Sequence, residues 1–518
     1  MSVREETVHL RSNVLIEPLV DRFYAWMHLV APVPAARNLA GFQVPLLESC
    51  LGHSPVRRAA GHGPAPRDRS SADIDGPRAR EIAALLDAIR ADRAGMLGFA
   101  AAMAEAEEML RRTTPGDDLT PLYRRLPAAL NGLVELTYDS SGQPVSRYLE
   151  SLAYTSRYYD EHRQSVQLSL DDGGERPGIL GTPRLPRPGV LDLAVPFRHG
   201  GLDELFAARL RPTTISRLRE ALGLDARQTA QLRTLLDTEP AAAPDRHIGS
   251  GGRVRYFGHA CLLLQTPQGA VLTDPFISTG NRHADRYTLA DLPDRIDLAV
   301  ITHGGRDHVV LETLLQLRSR IGAVVVPRPA PGNLCDPSIG RYLRALAFPV
   351  IEVDDFDEVP FPGGKVVATP FLSDHADLAV SAKSTYFIRL SGATFLIGAN
   401  SSGVDPARYR YLRSHLGDVD LAFLGLGGGT PPMLRHDCGR AVRMPGSDAE
   451  PAAAIVRELG ADEAYLYDMG GESWQSHVLE TAYDEDPDHT NQVDKFLGWC
   501  HERGITAERL VNRREWRW

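Results

Sequence analysis

One turn near the middle of the chain carries side chains that could bind a metal. An apolar run ends at Ile301, the potential ligands His303, Asp307 and His308 follow closely, and an amphipathic segment begins at Leu311. Apolar residues recur there at near-helical spacing, so the turn is predicted to join a buried strand to a helix. Open α/β sheets place their chemistry at the carboxyl ends of strands. The turn is therefore predicted to be a metal site.

The ligand types restrict which metal this turn could hold. His308 and Asp307 with one further imidazole would form a two-histidine-one-carboxylate set, which suits non-haem Fe(II) and leaves positions open for dioxygen. The same set could hold zinc with a water at the open position. A purely structural interpretation is also open, in which His303 and His308 cap the following helix or bond backbone carbonyls.

Composition restricts the class of protein. The chain has 518 residues and a net charge of −10, which argues against general binding to nucleic acid or to an anionic membrane. The five cysteines lack CxxC spacing, so reduced thiols are predicted rather than a disulfide framework or a thiolate zinc site. The sequence contains neither a signal-like start nor an apolar run of about 18 residues. We therefore expect a cytoplasmic protein with no nucleic-acid or membrane partner.

The length predicts two domains, and their boundary is visible in the sequence. A segment rich in alanine, proline and glycine at residues 239–252 has the composition of a linker, so we place one domain at 1–245 and the other at 252–518. Helices are predicted over 80–112, 123–136 and 214–236, and a strand over 165–170. These elements predict a mixed α+β N-terminal domain. Its aromatic residues Phe23, Tyr24 and Trp26 must be buried either within the domain or in a contact between two copies, which would make a homodimer.

The C-terminal half has a different sequence pattern. Short apolar strands alternate there with helical segments, which predicts an α/β sandwich. The predicted strands are 253–264, with a tight turn inside it, 269–275, 323–326, 349–353, 365–369, 384–390, 393–398 and 419–424.

Three motifs in this half resemble the metallo-β-lactamase fold. Residues 257–262 (FGHACL), followed by 272–275 (LTDP), are similar to its opening hairpin. Residues 302–308 (THGGRDH) resemble its His-x-His-x-Asp-His signature, with Gly305 in place of the second histidine. Residues 398–403 (GANSSG) resemble the turn that normally carries a metal-bridging aspartate, with Asn400 in its place. The resemblance implies an αββα sandwich over 252–518.

A closer resemblance covers nearly the whole chain. Residues 16–19 (IEPL), 24–26 (YAW) and 370–378 (PFLSDHADL), together with the length, are similar to a subgroup typified by the dinuclear-iron β-hydroxylase of chloramphenicol biosynthesis. Enzymes of that type use two irons and dioxygen to hydroxylate an amino acid tethered to a carrier domain of a nonribosomal peptide synthetase. The resemblance implies an iron cofactor, a carrier-protein partner and an electron donor.

The resemblance also assigns roles residue by residue. One metal would use His303, position 305 and either Asp374 or His375, and the other would use Asp307, His308 and a C-terminal histidine, for which His436 is preferred to His477. Residue 400 would bridge both metals. Glycine at 305 offers no ligand, and the neutral amide of Asn400 bridges two cations poorly. The site is therefore predicted to hold one or two iron ions incompletely, with zinc as the alternative.

Three side chains near the site are given other roles. Asp307, Arg306 and Asn400 are the predicted catalytic residues. Arg306 could place a fixed guanidinium near the vacated metal position, or it could lie at the surface. His259 and Asp274 are interpreted as structural, and Asp468 as a speculative pocket group.

Three functions remain open at this point. The leading hypothesis is an iron-dependent oxygenase acting on an amino acid or on its carrier-bound form. The first alternative is a metal-free or single-metal member with other chemistry or a binding role, for which Gly305 and Asn400 argue. The second is a zinc hydrolase of an ester, thioester or amide, in which the metal would activate a water. The N-terminal domain would supply a dimer contact, a lid or a carrier-protein dock.

Overall fold

The computed structural model describes most of the chain. The described residues are 6–52, 78–174, 176–239, 245–279, 286–330, 332–334, 336–372, 380–401, 405–426, 448–470, 472–479 and 487–518. The strands in chain order are β1 (Thr7–Leu10), β2 (Val14–Val20), β3 (Phe23–Tyr24), β4 (Val134–Tyr138), β5 (Pro144–Tyr148), β6 (Gln164–Leu170), β7 (Leu191–Leu193), β8 (Thr213–Thr214), β9 (Leu236–Asp237), β10 (Arg253–Gly258), β11 (Cys261–Gln265), β12 (Ala270–Thr273), β13 (Ile296–Val300), β14 (Ile321–Pro327), β15 (Val350–Val353), β16 (Glu358–Phe361), β17 (Gly364–Pro370), β18 (Ser384–Leu390), β19 (Ala393–Ile397), β20 (Leu421–Leu424), β21 (Glu463–Leu466), β22 (Thr506–Arg509) and β23 (Arg514–Arg517).

The α-helices are shorter and lie mostly outside the sheets. In chain order they are α1 (Met27–Val30), α2 (Pro32–Asn38), α3 (Val44–Leu51), α4 (Ala79–Asp92), α5 (Ala94–Arg111), α6 (Glu150–Thr155), α7 (Gly200–Ala207), α8 (Ile215–Leu222), α9 (Ala226–Thr234), α10 (Leu311–Leu317), α11 (Ile339–Ala345), α12 (Ala407–Leu416), α13 (Ala449–Leu459), α14 (Ser476–Leu479) and α15 (Pro487–Glu502). Within the described ranges, no helix is long and apolar enough to cross a membrane.

Two large sheets form the C-terminal half. Among the described strands, the first sheet has the order β15-β14-β13-β12-β11-β10-β23 and the second has the order β16-β17-β18-β19-β20-β21-β22. Apolar side chains from both sheets, such as Tyr256, Val300, Tyr386 and Phe423, form one buried core between them. Because β12 to β15 are parallel, as are β19 to β22, the carboxyl ends of several strands meet at one edge of each sheet.

Helices cover the outer faces of both sheets. Helices α12, α13 and α15 pack on the second sheet around residues such as Tyr409, Ile455 and Phe496. The outer face of the first sheet shares a core with α10, α11 and the N-terminal half. The predicted αββα sandwich is thereby confirmed, with the N-terminal half as part of one outer layer.

The N-terminal half combines small sheets with helices. Strands β3-β2-β6-β7 form one sheet, β8-β1-β9 a second, and α3 to α5 pack near them. The side chains of Phe23, Tyr24 and Trp26 are buried in the core of the same chain. This burial removes the need for a second copy to cover them. The boundary between 1–245 and 252–518 remains a prediction, since the shared core runs on both sides of it.

The predicted strands were confirmed, whereas three predicted helices differ. The segment 80–112 is two helices that meet at Arg93, where the backbone leaves the helical region (ψ 17°). The segment 214–236 is also two helices, since Gly223 takes a left-handed φ of 64° that ends α8. The helix over 123–136 was wrong: Pro127 is extended and Gly132 has a φ of 75°, so short turns there lead into β4.

Candidate metal centre

Adjacent parallel strands set the floor of the site. β12 and β13 pair in parallel, so Asp274 lies beside the start of the turn that follows β13. Thr302 donates to Asp274 twice, from its backbone N to Oδ1 at 2.8 Å and from its hydroxyl to Oδ2 at 2.7 Å. The Nδ1 atom of His308 lies 3.0 Å from Asp274 Oδ2. A carboxylate on one imidazole nitrogen fixes the ring and leaves the other nitrogen to bind a ligand.

That other nitrogen of His308 faces a group of three more ligand atoms. His259 Nε2 lies 3.2 Å from Asp307 Oδ2 and 3.2 Å from Asp468 Oδ1. His308 Nε2 lies 3.9 Å from the same atom of Asp307 and 3.7 Å from that of Asp468. We call His259, Asp307, His308 and Asp468 the four-ligand cluster. Three of its members, His259, His308 and Asp468, also meet as a compact group of potential metal ligands.

Two loops at strand ends complete the four-ligand cluster. His259 occupies the tight turn between β10 and β11 with a left-handed φ of 50°, and Asp468 follows β21 of the other sheet with a φ of 57°. The backbone N of Asp468 donates to the carbonyl of His259 at 3.0 Å. Positive φ is costly for residues other than glycine and is common at functional sites. The cluster therefore joins the two sheets where their strands end.

The four-ligand cluster is buried and rich in negative charge. Its side chains are between 1% and 16% exposed. Burial opposes the charged form of His308, but Asp274 and the other carboxylates nevertheless raise its pKa to about 10. Burial raises the pKa of Asp468 to about 6 against the attraction of His259. Burial also opposes ionisation of Asp307, yet His308 and His259 hold its pKa well below the usual range. The carboxylates thus require positive charge beside them.

His303 and Gly305 lie next to the four-ligand cluster. His303 Nδ1 is 3.1 Å from the Thr302 hydroxyl, and its ring centre is 4.1 Å from that of His308. A Cβ built on Gly305 would lie 2.8 Å from Asp307 Oδ1, 2.9 Å from His303 Nε2 and 2.9 Å from His308 Cδ2. Side chains of the turn therefore fill the space where a ligand at 305 would begin.

Asn400 follows β19 at the end of the second sheet. Its side-chain Oδ1 is buried without a hydrogen-bond partner among the described residues. The neighbouring Ala399 has a left-handed φ of 44°, and its backbone N donates to the hydroxyl of Tyr467, the residue before Asp468. Asn400 is thus held near the cluster and offers an uncharged oxygen.

Arg306 points away from its neighbours in the turn towards helix α14. Its side chain is buried and donates to the carbonyl of Val478 at 2.8 Å and to that of Leu479 at 3.1 Å. His477 in the same helix has its Nδ1 3.1 Å from the carbonyl of Trp474 and its Nε2 3.8 Å from Glu312 Oε1. Three predicted ligands, Asp374, His375 and His436, fall outside the described residues.

The sequence reasoning passed over three residues that complete the site. His259 and Asp274 were interpreted as structural, and Asp468 as speculative, although all three follow the ends of strands. That position was the available signal, because a polar side chain directly after a buried strand has few other roles. It was weak because His259 and Asp468 lie on different sheets, about two hundred residues apart, and no motif links them.

One metal ion fits His259, His308 and Asp468, whose ligand atoms all lie within 4.8 Å of one another, with Asp307 beside them. Nitrogen and oxygen ligands bind at roughly 2.0–2.2 Å, so neighbouring tetrahedral ligands lie about 3.3–3.6 Å apart. The four measured distances, 3.2 to 3.9 Å, bracket that spacing. Two histidines with carboxylate ligands suit non-haem iron. Two metal ions fit poorly, because Gly305 offers no ligand and the side chain of Asn400 carries no charge.

Comparisons with known proteins agree with this architecture. Residues 9–240 match a family described as the diiron non-haem β-hydroxylase N-terminal domain, and residues 270–468 match the β-lactamase superfamily domain. The chain is 33% identical to the 4-amino-L-phenylalanyl-(CmlP-peptidyl-carrier-protein) 3-hydroxylase of Streptomyces venezuelae, over 98% of each chain.

Solved structures give the same result. The crystal structure of CmlA, a diiron β-hydroxylase from Streptomyces venezuelae, matches 99% of this chain and 100% of its own, with a TM-score of 0.85 and 32% identity. A variant of CmlA matches the same shares with a TM-score of 0.83 and 31% identity. The resemblance drawn from the sequence is confirmed along the whole chain.

Proposed function

The chain belongs to the family of the diiron non-haem β-hydroxylases, and on that premise we propose that it hydroxylates an aminoacyl group held on a carrier protein in natural-product biosynthesis. The observation that carries the proposal is the match over 98% of both chains to a hydroxylase that acts on a carrier-bound aminoacyl group. The described part of the site supports it with two imidazoles and two carboxylates that suit iron.

The reaction would insert one oxygen atom of dioxygen into a C–H bond of the substrate. The other oxygen atom leaves as water, and an electron donor supplies two electrons together with two protons. Iron held by His259, His308 and Asp468, with Asp307 beside them, would supply the activation of dioxygen. His303, Asp374, His375 and His436 remain proposed further ligands.

The residues around the ligands would position them. Asp274 fixes the ring of His308, and Thr302 fixes Asp274. Arg306 holds the carbonyls of Val478 and Leu479, which orders α14 beside the turn. For Arg306 we therefore propose a positioning role rather than contact with substrate. Asn400 remains a proposed site residue, and its buried amide oxygen has no hydrogen-bond partner among the described residues.

The N-terminal half would control access to the turn. Met27 lies so close that a Cβ on Gly304 would come within 2.7 Å of its terminal methyl. The Tyr24 hydroxyl donates to Glu312 in helix α10 at 2.9 Å. Both contacts support the proposal that this half forms one wall of the site and carries the dock for the carrier protein.

Three further expectations belong to the proposal. A separate electron donor is expected because two electrons must enter from outside the substrate. A homodimer is expected, and size-exclusion chromatography with light scattering would test it: a monomer at micromolar concentration contradicts it. We place the enzyme in the cytoplasm, and the described Cys261 and Cys500 are free thiols, as that compartment favours.

The test is a turnover assay on carrier-bound substrates. Iron-loaded protein is mixed with a chemical reductant, labelled dioxygen and a panel of aminoacyl carrier proteins, and intact-protein mass spectrometry follows the carrier. We expect one carrier to gain a single labelled oxygen atom. Because His308 belongs to the cluster, His308→Ala should abolish the gain, whereas the exposed Glu204→Gln should retain it.

Two results would overturn the proposal. Release of the amino acid from the carrier without consumption of dioxygen, with zinc supporting the rate, would identify a hydrolase. No change of mass on any aminoacyl carrier, from protein that holds iron, would contradict the proposed activity.

A further inference from the structure

We propose that this chain binds a single metal ion, held by His259, His308 and Asp468 with Asp307 beside them, in place of the two irons of its family. The identity of the metal rests on the proposed function, while its number and its ligands rest on the geometry of the site. His259 and Asp468 are thereby assigned as ligands from two different sheets.

The first support is the spacing within the four-ligand cluster. Each of the two imidazole Nε2 atoms lies within 3.9 Å of both carboxylate oxygens. A hydrogen-bonded ion network brings its members together in pairs. Here, one oxygen each of Asp307 and Asp468 faces both imidazoles at once, as ligands around a single ion do.

The second support is an unsatisfied atom inside the four-ligand cluster. The Asp468 side chain is 2% exposed, and its Oδ2 has no hydrogen-bond partner among the described residues. Burial of an unpartnered carboxylate oxygen is costly unless a cation lies beside it. A metal ion bound next to Asp468 would remove that cost.

The third support is the orientation of His308. Its Nδ1 meets Asp274 at 3.0 Å, so its Nε2 is the nitrogen left to face Asp307 and Asp468. A carboxylate behind a metal-binding histidine is a recurrent arrangement that fixes the ring and strengthens the ligand. Asp274 is therefore the outer partner of the proposed ligand.

Among the described residues, positions 305 and 400 argue against a second ion. Asp307, His303 and His308 already occupy the space in which a side chain at 305 would start. Asn400 contributes no charge, and two divalent cations close together need an anionic bridge to offset their repulsion. Neither position therefore supports a dinuclear centre of the family type.

The test counts metal ions and examines their magnetism in the full-length protein. Metal-free protein is loaded with Fe(II) without oxygen, freed of excess metal and measured by elemental analysis; we expect about one iron per chain. After oxidation, electron paramagnetic resonance should show an isolated high-spin ferric ion, since two antiferromagnetically coupled ferric ions would give no signal. Neither measurement needs a substrate, so failure of the proposed activity leaves them interpretable.

Matched variants then identify the ligands. Asp468→Asn and His259→Gln should lower the affinity for Fe(II) at least about tenfold to a hundredfold, because each removes a ligand. The control Glu204→Gln should keep about one iron per chain, since Glu204 is exposed, pairs with Arg217 and lies outside the site. Circular dichroism would establish that each variant is folded.

Several outcomes would overturn the inference. Two irons per chain with a coupled spectrum would restore the dinuclear centre, and less than about 0.2 iron would indicate a metal-free ion network. Folded Asp468→Asn and His259→Gln variants that both bind iron normally would exclude the assigned ligands. If a variant fails to fold, the iron count and spectrum of the unmodified protein still decide the number of ions.

Discussion

Two buried charged clusters in this chain lie near each other and differ in how their charges are balanced. The first, which we call the Glu312 network, consists of Glu17, Tyr24, Arg176, Arg184 and Glu312. Arg176 binds both oxygens of Glu312 at 3.0 and 2.8 Å, and Arg184 binds Glu17 at 2.9 Å. The second is the four-ligand cluster, which has carboxylates without any guanidinium bound to them among the described contacts.

The acidities of the carboxylates reflect this difference. Burial opposes the charged form of Glu312, yet Arg176 holds its pKa far below the usual value. Burial instead raises the pKa of Asp468 to about 6, because imidazoles compensate it incompletely. A buried cluster with guanidinium partners holds parts of the fold together, whereas a cluster whose positive charge comes from imidazoles can exchange their protons for a metal ion.

The largest effect on stability is expected when the Glu312 network is broken. Glu312→Gln removes the charge that faces the buried guanidinium of Arg176, whose other carboxylate among the described residues is Glu17 at 3.4 Å. Breaking a buried pair costs about 3–5 kcal/mol, so we expect the free energy of unfolding to fall by that amount in urea titrations. The exposed pair of Arg217 and Glu204 is the control, and Glu204→Gln should cause no measurable change. An equal loss of unfolding free energy in Glu312→Gln and Glu204→Gln would contradict the contrast between the buried and the exposed ion pair.

The next effect comes from a carboxylate whose burial Arg341 offsets only in part. Glu150 accepts from the backbone N of Ser338 at 3.1 Å, and burial raises its pKa to about 7. The native state therefore binds more protons than the unfolded state between pH 4.5 and about 7, and stability falls as pH rises through that window, by up to roughly 3 kcal/mol.

The substitution Glu150→Gln removes this charge and keeps the hydrogen-bond acceptor. We expect the variant to be more stable than the unmodified protein at about pH 8 and little different at about pH 5, by urea unfolding at both values. Glu204→Gln, exposed and paired, should show no such dependence. An equal difference at both pH values would mean that ionisation of Glu150 is not the cause.

The smallest effect on stability is expected from a substitution beside the four-ligand cluster. Gly305→Ala places a methyl group against Asp307, His303 and His308, which must shift. We expect a loss of about 1 kcal/mol in stability, and at least about tenfold in Fe(II) affinity by titration. Gly304→Ala is the matched control, because its methyl group meets only the flexible ends of Met27 and Ile339. A loss of Fe(II) affinity in Gly304→Ala as large as in Gly305→Ala would contradict the assignment.

Much of this architecture could be predicted from the sequence. The strands of both sheets are regular apolar runs, so their positions and the αββα class followed from local pattern. The turn at 302–308 was located because its ligands are neighbours in the chain. The break of a predicted helix at Arg93 was not foreseen, although Gly95 follows two residues later.

The completion of the site depended on contacts that local pattern does not encode. His259 and Asp468 meet only because two sheets end at the same edge, and their side chains are otherwise ordinary polar residues after strands. The Glu312 network likewise joins residues from distant parts of the chain. The sequence does not reveal whether such buried charges have oppositely charged partners, because that depends on distances between residues far apart in the chain.

The contact between Met27 and Gly304 has a consequence for the history of the two halves. The first helix of the N-terminal half rests on a glycine of the turn itself, where an added methyl group displaces only the end of the Met27 side chain. A much bulkier residue at the position of Gly304 would need a shorter one at that of Met27. An exchange of one half between relatives would therefore have to match these two positions.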